Sequence, residues 1–193
     1  MSVKVMLPDL RIGFPALWTP QSFGEGKPAY GGKAIVQPAN KKIIKILDDA
    51  MLEAAKGQPK WTNPEKVLAK LVADDAVCFR KKEYCDKNGD PYAGFEDAYY
   101  LSLRSEKTKP LVLDRDKSPL EENSGKPYSG AFCNLHVEIW AQDNKFGRRI
   151  NATLLGIQFF RDGDSFGGGS RPDADAFDDL SDGTEDGDDE DFG

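Results

Sequence analysis

Histidine is almost absent from this 193-residue chain: His136 stands alone, so no cluster of imidazoles can assemble around a metal ion. Cysteine is scarce as well. Cys78, Cys85 and Cys133 are odd in number and form no C-x-x-C pair, which argues against both a disulfide framework and a zinc site. No apolar run is long enough to span a bilayer, and the opening Met1-Ser2-Val3-Lys4-Val5 lacks the apolar segment of a secretory signal. A cytoplasmic protein, bacterial or in another host cell, with no membrane association is the expectation.

Catalytic signatures are missing too. There is no G-x-G-x-x-G after a strand and no G-x-x-x-x-G-K-[ST] loop. His136 falls inside an apolar strand pattern, so no nucleophile with a histidine partner suggests itself. Gly167-Gly168-Gly169 leads into an acidic segment rather than a helix, which disfavours a phosphate cradle. Asp86, Asn88, Asp90 and Asp97 have some of the spacing of a calcium loop, but Pro91 takes the position that needs glycine. A hairpin turn is the better reading. Neither an enzyme nor a cofactor is expected.

Basic residues are missing from one region only. Pro172 to Gly193 holds eleven Asp and Glu and no Lys or Arg, whereas residues 1–171 hold 22 acidic and 26 basic residues. The overall charge of −7 therefore averages a mildly basic body and a strongly acidic end. Such asymmetry points to polyanion binding with an acidic appendage. The chain is expected to divide into a binding domain at 1–161 and, at 162–193, a Gly-rich linker with a disordered tail. That tail has too few aliphatic residues to offset its ordering entropy.

What is present in the body is alternation. Val3–Leu7 and Ile12–Trp18 are extended stretches interrupted by Pro8 and Pro15, and Tyr30–Gln37 is a second strand with Gly31-Gly32 as a candidate bulge. Asn40 caps a helix with Ile43, Ile44, Leu47, Met51 and Leu52 on one stripe, ended by Gly57 and Pro59. Asn63-Pro64-Glu65 opens a shorter helix with Val67, Leu68 and Leu71 inward. Strands follow at Val77–Tyr84, Tyr99–Arg104, Cys133–Ala141 and Ile150–Phe160. The whole predicts a mainly β protein, an OB-fold-like Greek-key barrel with a helical insertion, with an open α+β sheet as the rival.

Binding a single strand needs cations along the phosphates and flat side chains for the bases. By alternation Arg80, Lys82 and Tyr84 share one outward face, and Tyr100 and Arg104 another. The loop Trp18–Pro28 adds Trp18, Phe23 and Lys27, and the turn before the last strand adds Lys145, Phe146, Arg148 and Arg149. Each aromatic has core packing as its competing role, and Trp140 can belong to either face. In the tail, Phe192 after Asp188-Asp189-Glu190-Asp191 offers an apolar anchor in an acidic patch, suited to a partner's basic pocket. A tethered polyanion also competes for a positive groove at millimolar-order effective concentration.

The stretch Ala131-Phe132-Cys133-Asn134 through Trp140-Ala141-Gln142-Asp143-Asn144 resembles the single-stranded DNA-binding proteins of tailed phages, a family long known only as a domain of unknown function. Arg149-Ile150-Asn151-Ala152, Leu155-Gly156-Ile157-Gln158-Phe159 and Arg161-Asp162-Gly163-Asp164-Ser165-Phe166-Gly167-Gly168 carry the same resemblance. So do Leu10-Arg11-Ile12-Gly13-Phe14-Pro15 and Phe23-Gly24. The resemblance implies an OB-fold and a role in phage replication and recombination, in the bacterial host cytoplasm. It brings no residue-level binding motif, so the candidate residues rest on alternation alone. The expected function is coating and protecting single-stranded DNA, with replication or recombination proteins recruited through the acidic tail. The rivals are an acidic-tailed interaction module (a chaperone or DNA mimic) and an RNA-binding OB protein.

Overall fold

Two asparagines start the helices that the sequence marks. In the computed structural model, which describes residues 2–22 and 26–166, α1 spans Lys41–Lys56 and α2 spans Pro64–Ala73. The Asn40 side chain accepts from the Ile43 amide and the Asn63 side chain from the Lys66 amide, so each satisfies an amide that the first helical turn leaves free. Pro64 sits at the start of α2, where its missing N–H costs nothing. Ile43, Leu47, Ala50, Met51 and Ala54 line the buried stripe of α1, and α2 buries Leu71.

The strands are β1 (Ser2–Gln21), β2 (Ala29–Val36), β3 (Phe79–Arg80), β4 (Tyr99–Ser105), β5 (Leu111–Leu113), β6 (Phe132–Asn144) and β7 (Gly147–Arg161). They form one seven-stranded sheet in the order β3-β4-β2-β1-β6-β7-β5. β1 pairs antiparallel with β6 through its first half and with β2 through its second, which makes the sheet turn back on itself. Leu7, Ile12, Ala34, Leu101, Cys133, Leu135, Val137, Ile139 and Ile157 face inward, and the stripe of α1 joins the same core. The sheet is mainly β and strongly curled, as expected, yet it stays open. Between the β3 side and β7 there is a single bridge, Val77 to Ile150, rather than a closing ladder.

Three local expectations change. The two stretches around Pro8 and Pro15 are one continuous strand, which absorbs its kinks at Asp9 (φ 53°) and Phe14 (φ 52°) and shifts register beside each proline. Gly31 and Gly32 are not themselves the bulge: the extra residue lies across from them, between Gly13 and Ala16 of β1. The strand expected over Val77–Tyr84 shrinks to Phe79–Arg80, because the chain beyond it leaves the edge and folds over the sheet as a loop. β5, an edge strand parallel to β7, carries too short a pattern to be read from sequence.

The body also extends past Arg161. The Arg11 guanidinium donates to the carbonyl oxygens of Gly130 (3.0 Å) and Asp164 (2.7 Å), and the Tyr128 hydroxyl donates to Asp162 (2.7 Å). The Phe166 amide donates to Ser129 and its ring lies under the Arg11 guanidinium, 4.3 Å from Cζ. Residues 162–166, expected to begin a linker, are therefore a strap held on the body. The remaining tail, including Asp188, Asp189, Glu190, Asp191 and Phe192, lies outside the described residues, as does Phe23.

Candidate nucleic-acid interface

Strand register builds rows across the outer face of the sheet. Arg11 of β1, Ile35 of β2, Tyr100 of β4 and Arg80 of β3 stand opposite one another in one row. Gly13, Lys33 and Ser102 form the next, and Gly31 faces Arg104 beyond it. Because neighbouring outward positions alternate with core residues such as Ala34 and Leu101, these cations share one face. Arg80 is fixed in place: Nε and Nη2 donate to the Asp75 carbonyl (3.1 and 2.8 Å), and Nη1 donates to the Tyr100 hydroxyl (3.0 Å). Arg104 donates to the Lys27 carbonyl at 2.7 Å and pairs with Glu106 at 3.1 Å.

Between them Lys33 Nζ donates to Ser102 Oγ at 2.8 Å. Burial, then the charges of Arg80 and Arg104, lower the Lys33 amine to about 8. A cation disfavoured by its surroundings is a prepared position for an anion.

An aromatic layer adjoins the cations. The segment 83–98 lays Tyr84, Tyr92 and Phe95 over the face, where Phe14 of β1 meets them. Tyr84 and Tyr92 stack with centroids 5.0 Å apart, Phe14 lies edge-on to both, and Phe95 lies beneath, fully buried. Gly13 makes room for it, since a Cβ there would come within 2.7 Å of the Phe95 ring. The Tyr84 hydroxyl is pushed above its ordinary value, by burial first and then by Tyr92 and Tyr100. Phe14 is 36% exposed and holds a left-handed φ that a phenylalanine rarely adopts.

Of the residues predicted from sequence, Arg80, Tyr84, Tyr100 and Arg104 come together here, and Lys27 meets them through its backbone carbonyl. Tyr100 points outward as its alternation requires, but the loop covers it to 4% exposure. It therefore supports the face and offers no open platform, which corrects the expectation. Lys82 turns aside to an ion pair with Asp75. Trp18 is half-buried with Lys109 Nζ 4.8 Å above its ring. Lys145, Phe146, Arg148 and Arg149 lie apart at the β6–β7 turn, with Phe146 78% exposed and Arg148 paired to Asp143. The base of that hairpin is tied to the segment leading to Arg80, for the Ile150 amide donates to the Ala76 carbonyl. Trp140 is half-buried on the outer side of β6, donating to Thr153.

Alternation missed Phe14, Lys33 and Tyr92. Lys33 carried a usable signal, as a lone cation inside the apolar strand Tyr30–Gln37. The Asp86 carboxylate accepts from the Asn88 and Asp90 amides, the geometry of a turn. Among the described residues no group of three His, Cys, Asp or Glu is placed to hold a metal ion.

A family model described as the single-stranded DNA-binding protein of Enterobacter phage Enc34 matches residues 3–192. The chain belongs to the Enc34 phage ssDNA-binding protein family. A relative described as putative protein p50, from Acyrthosiphon pisum secondary endosymbiont phage 1, is 37% identical over 182 residues, covering 93% of this chain and 95% of that protein. The fold is that of the Enc34 family protein solved in complex with ssDNA. That structure has a TM-score of 0.68 at 23% identity, over 85% of this chain and 89% of that one. The Enc34 protein alone gives a TM-score of 0.65 at 23% identity, over 91% and 90%.

Proposed function

We propose that this protein binds single-stranded DNA across the outer face of β1, β2 and β4, and so coats and protects strands exposed in phage replication and recombination. The observation that carries this reading is the juxtaposition of Lys33, Arg80 and Arg104 with the rings of Phe14, Tyr84 and Tyr92 on one surface. Cations there track the phosphates and rings accept bases, at ~1–3 kcal/mol for each stacked base. The relative solved with ssDNA shares this fold, which supports the same use of it here. The hairpin cations and Phe146 extend the path, and the work is done in the cytoplasm of a bacterial host.

The acidic residues after Phe166 act in two ways in this reading. They compete with DNA for the positive face, and Phe192 with Asp188, Asp189, Glu190 and Asp191 recruits replication or recombination proteins. The test is oligo(dT) affinity of the intact chain and of one ending at Phe166, over a range of salt. Binding should be salt-sensitive and should tighten when the tail is removed. A truncated body with no affinity for oligo(dT) refutes the reading, and tighter binding of oligo(rU) than of oligo(dT) transfers it to RNA.

A further inference from the structure

Lys33 rises from the middle of the sheet, where β2 lies between β1 and β4. Its amine touches the Ser102 hydroxyl and lies 4.9 Å from the centroid of the Tyr84 ring and 5.8 Å from that of Tyr100. No described carboxylate comes within 4.0 Å of it. The groups facing it can be named from each neighbouring element. β4 brings Arg104, whose own partner is Glu106, and β3 brings Arg80, held by a carbonyl and a phenol. The covering loop brings the ring of Tyr84. β1 brings Gly13 opposite, while Arg11 is turned to the carbonyls of Gly130 and Asp164. The Asp75 carboxylate is engaged by Lys82. Lys33 thus sits on a hydroxyl in the field of Arg80 and Arg104, and no described carboxylate pairs with it.

Resting on the strand-binding reading above, we propose that Lys33, Ser102, Arg80 and Arg104 form a subsite for one backbone phosphodiester. Lys33 Nζ and Ser102 Oγ are its direct donors and the two guanidiniums flank it. A phosphate also relieves the repulsion that holds the cations in tension. Binding then carries a proton with it. The free amine titrates at about 8, and an anion in contact favours its charged form. Below that pH the site is already charged. Above it each binding event must take up a proton, so affinity falls as pH rises, by about tenfold between pH 7 and pH 9.

The experiment is oligo(dT) affinity of the full chain from pH 6.5 to 9.5 at fixed salt, with Lys33→Arg and Lys33→Met, each checked by thermal unfolding. The native chain should lose about tenfold over the stated interval. Lys33→Arg carries a charge that does not titrate and should flatten the dependence, whatever its absolute affinity. Lys33→Met should also be flat, and its log–log salt slope should shrink by about 0.7, the share of one phosphate on a single strand. An arginine variant that keeps the native pH dependence overturns the subsite, since an amine elsewhere, the chain's α-amino group included, must then be responsible. An unchanged salt slope in a folded Lys33→Met overturns it too. Should that variant not fold, the arginine profile decides alone. If the native chain binds oligo(dT) at no pH, the strand-binding reading falls and takes the subsite with it.

Discussion

Replacing Phe14 with glycine should separate binding from stability. The residue sits at φ 52° with its ring 36% exposed, stacked on Phe95 at 6.0 Å and edge-on to Tyr84 and Tyr92 at 5.9 and 5.1 Å. A left-handed backbone costs an L-residue roughly 1–2 kcal/mol, which glycine recovers. Against that stand the lost ring contacts, about 0.5–1.5 kcal/mol for each well-placed aromatic pair, and the ~0.5–1 kcal/mol of chain entropy that glycine adds to the unfolded state. The balance is a loss of about 1–3.5 kcal/mol, centred below the ~3–5 kcal/mol of a phenylalanine deleted from a core. For a chain of this size that lowers Tm by about 2–14 °C. Oligo(dT) affinity should fall much more visibly, by roughly 5- to 150-fold, the equivalent of ~1–3 kcal/mol for one stacked base. Fluorescence titration against oligo(dT) and thermal unfolding of the same sample decide the matter. Unchanged affinity would remove Phe14 from the binding face, and a Tm loss of core size would show that its backbone stores no strain.

Phe95→Ala should cost about 3–5 kcal/mol in denaturant unfolding and weaken binding as well, since that fully buried ring is the floor under Phe14 and Tyr84. A loss below about 1 kcal/mol would mean that the aromatic layer packs without it. Changing Phe146 and Arg148 together to alanine should lower oligo(dT) affinity severalfold and leave Tm nearly unchanged, because both side chains are exposed. An unaltered affinity takes the hairpin out of the DNA path. Burial pushes the Cys78 and Cys133 thiols up to about 12, so at pH 8 a thiol reagent should modify half-buried Cys85 first and the other two only on unfolding. Three equal rates would contradict the packing described.

Much of the fold was legible because its signals are local. Asn40 and Asn63 cap their helices through bonds three residues away, and the alternation from Cys133 to Ile139 needs nothing but the pleat. The open edge of the sheet was not legible, since closure depends on whether residues near Val77 reach β7, a pairing between segments far apart in the chain. The candidate site was half legible for a related reason. Alternation gives the direction of Tyr100 but says nothing of what lies on top of it, and the cover comes from Tyr84, Tyr92 and Phe95 folding back over the sheet. Lys145–Arg149 cluster along the chain and so show in the sequence, whereas Arg80 and Arg104 are brought to Lys33 only by the sheet.

The strap gives the molecule a mechanical property. The glycines along its seat leave no slack: a Cβ at Gly94 would collide with the Phe166 ring, one at Gly130 with the Asp164 carbonyl, and one at Gly163 of the strap itself with the Gly130 carbonyl. Phe166 in turn rests on Phe95, with ring centroids 6.3 Å apart. Any pull exerted on the chain beyond this point is therefore borne first by Phe166 and Arg11, and passes directly to the ring beneath Phe14 and Tyr84. The end of the described chain is thereby coupled to the floor of the aromatic layer, so that displacing Phe166 would loosen Phe95 beneath it.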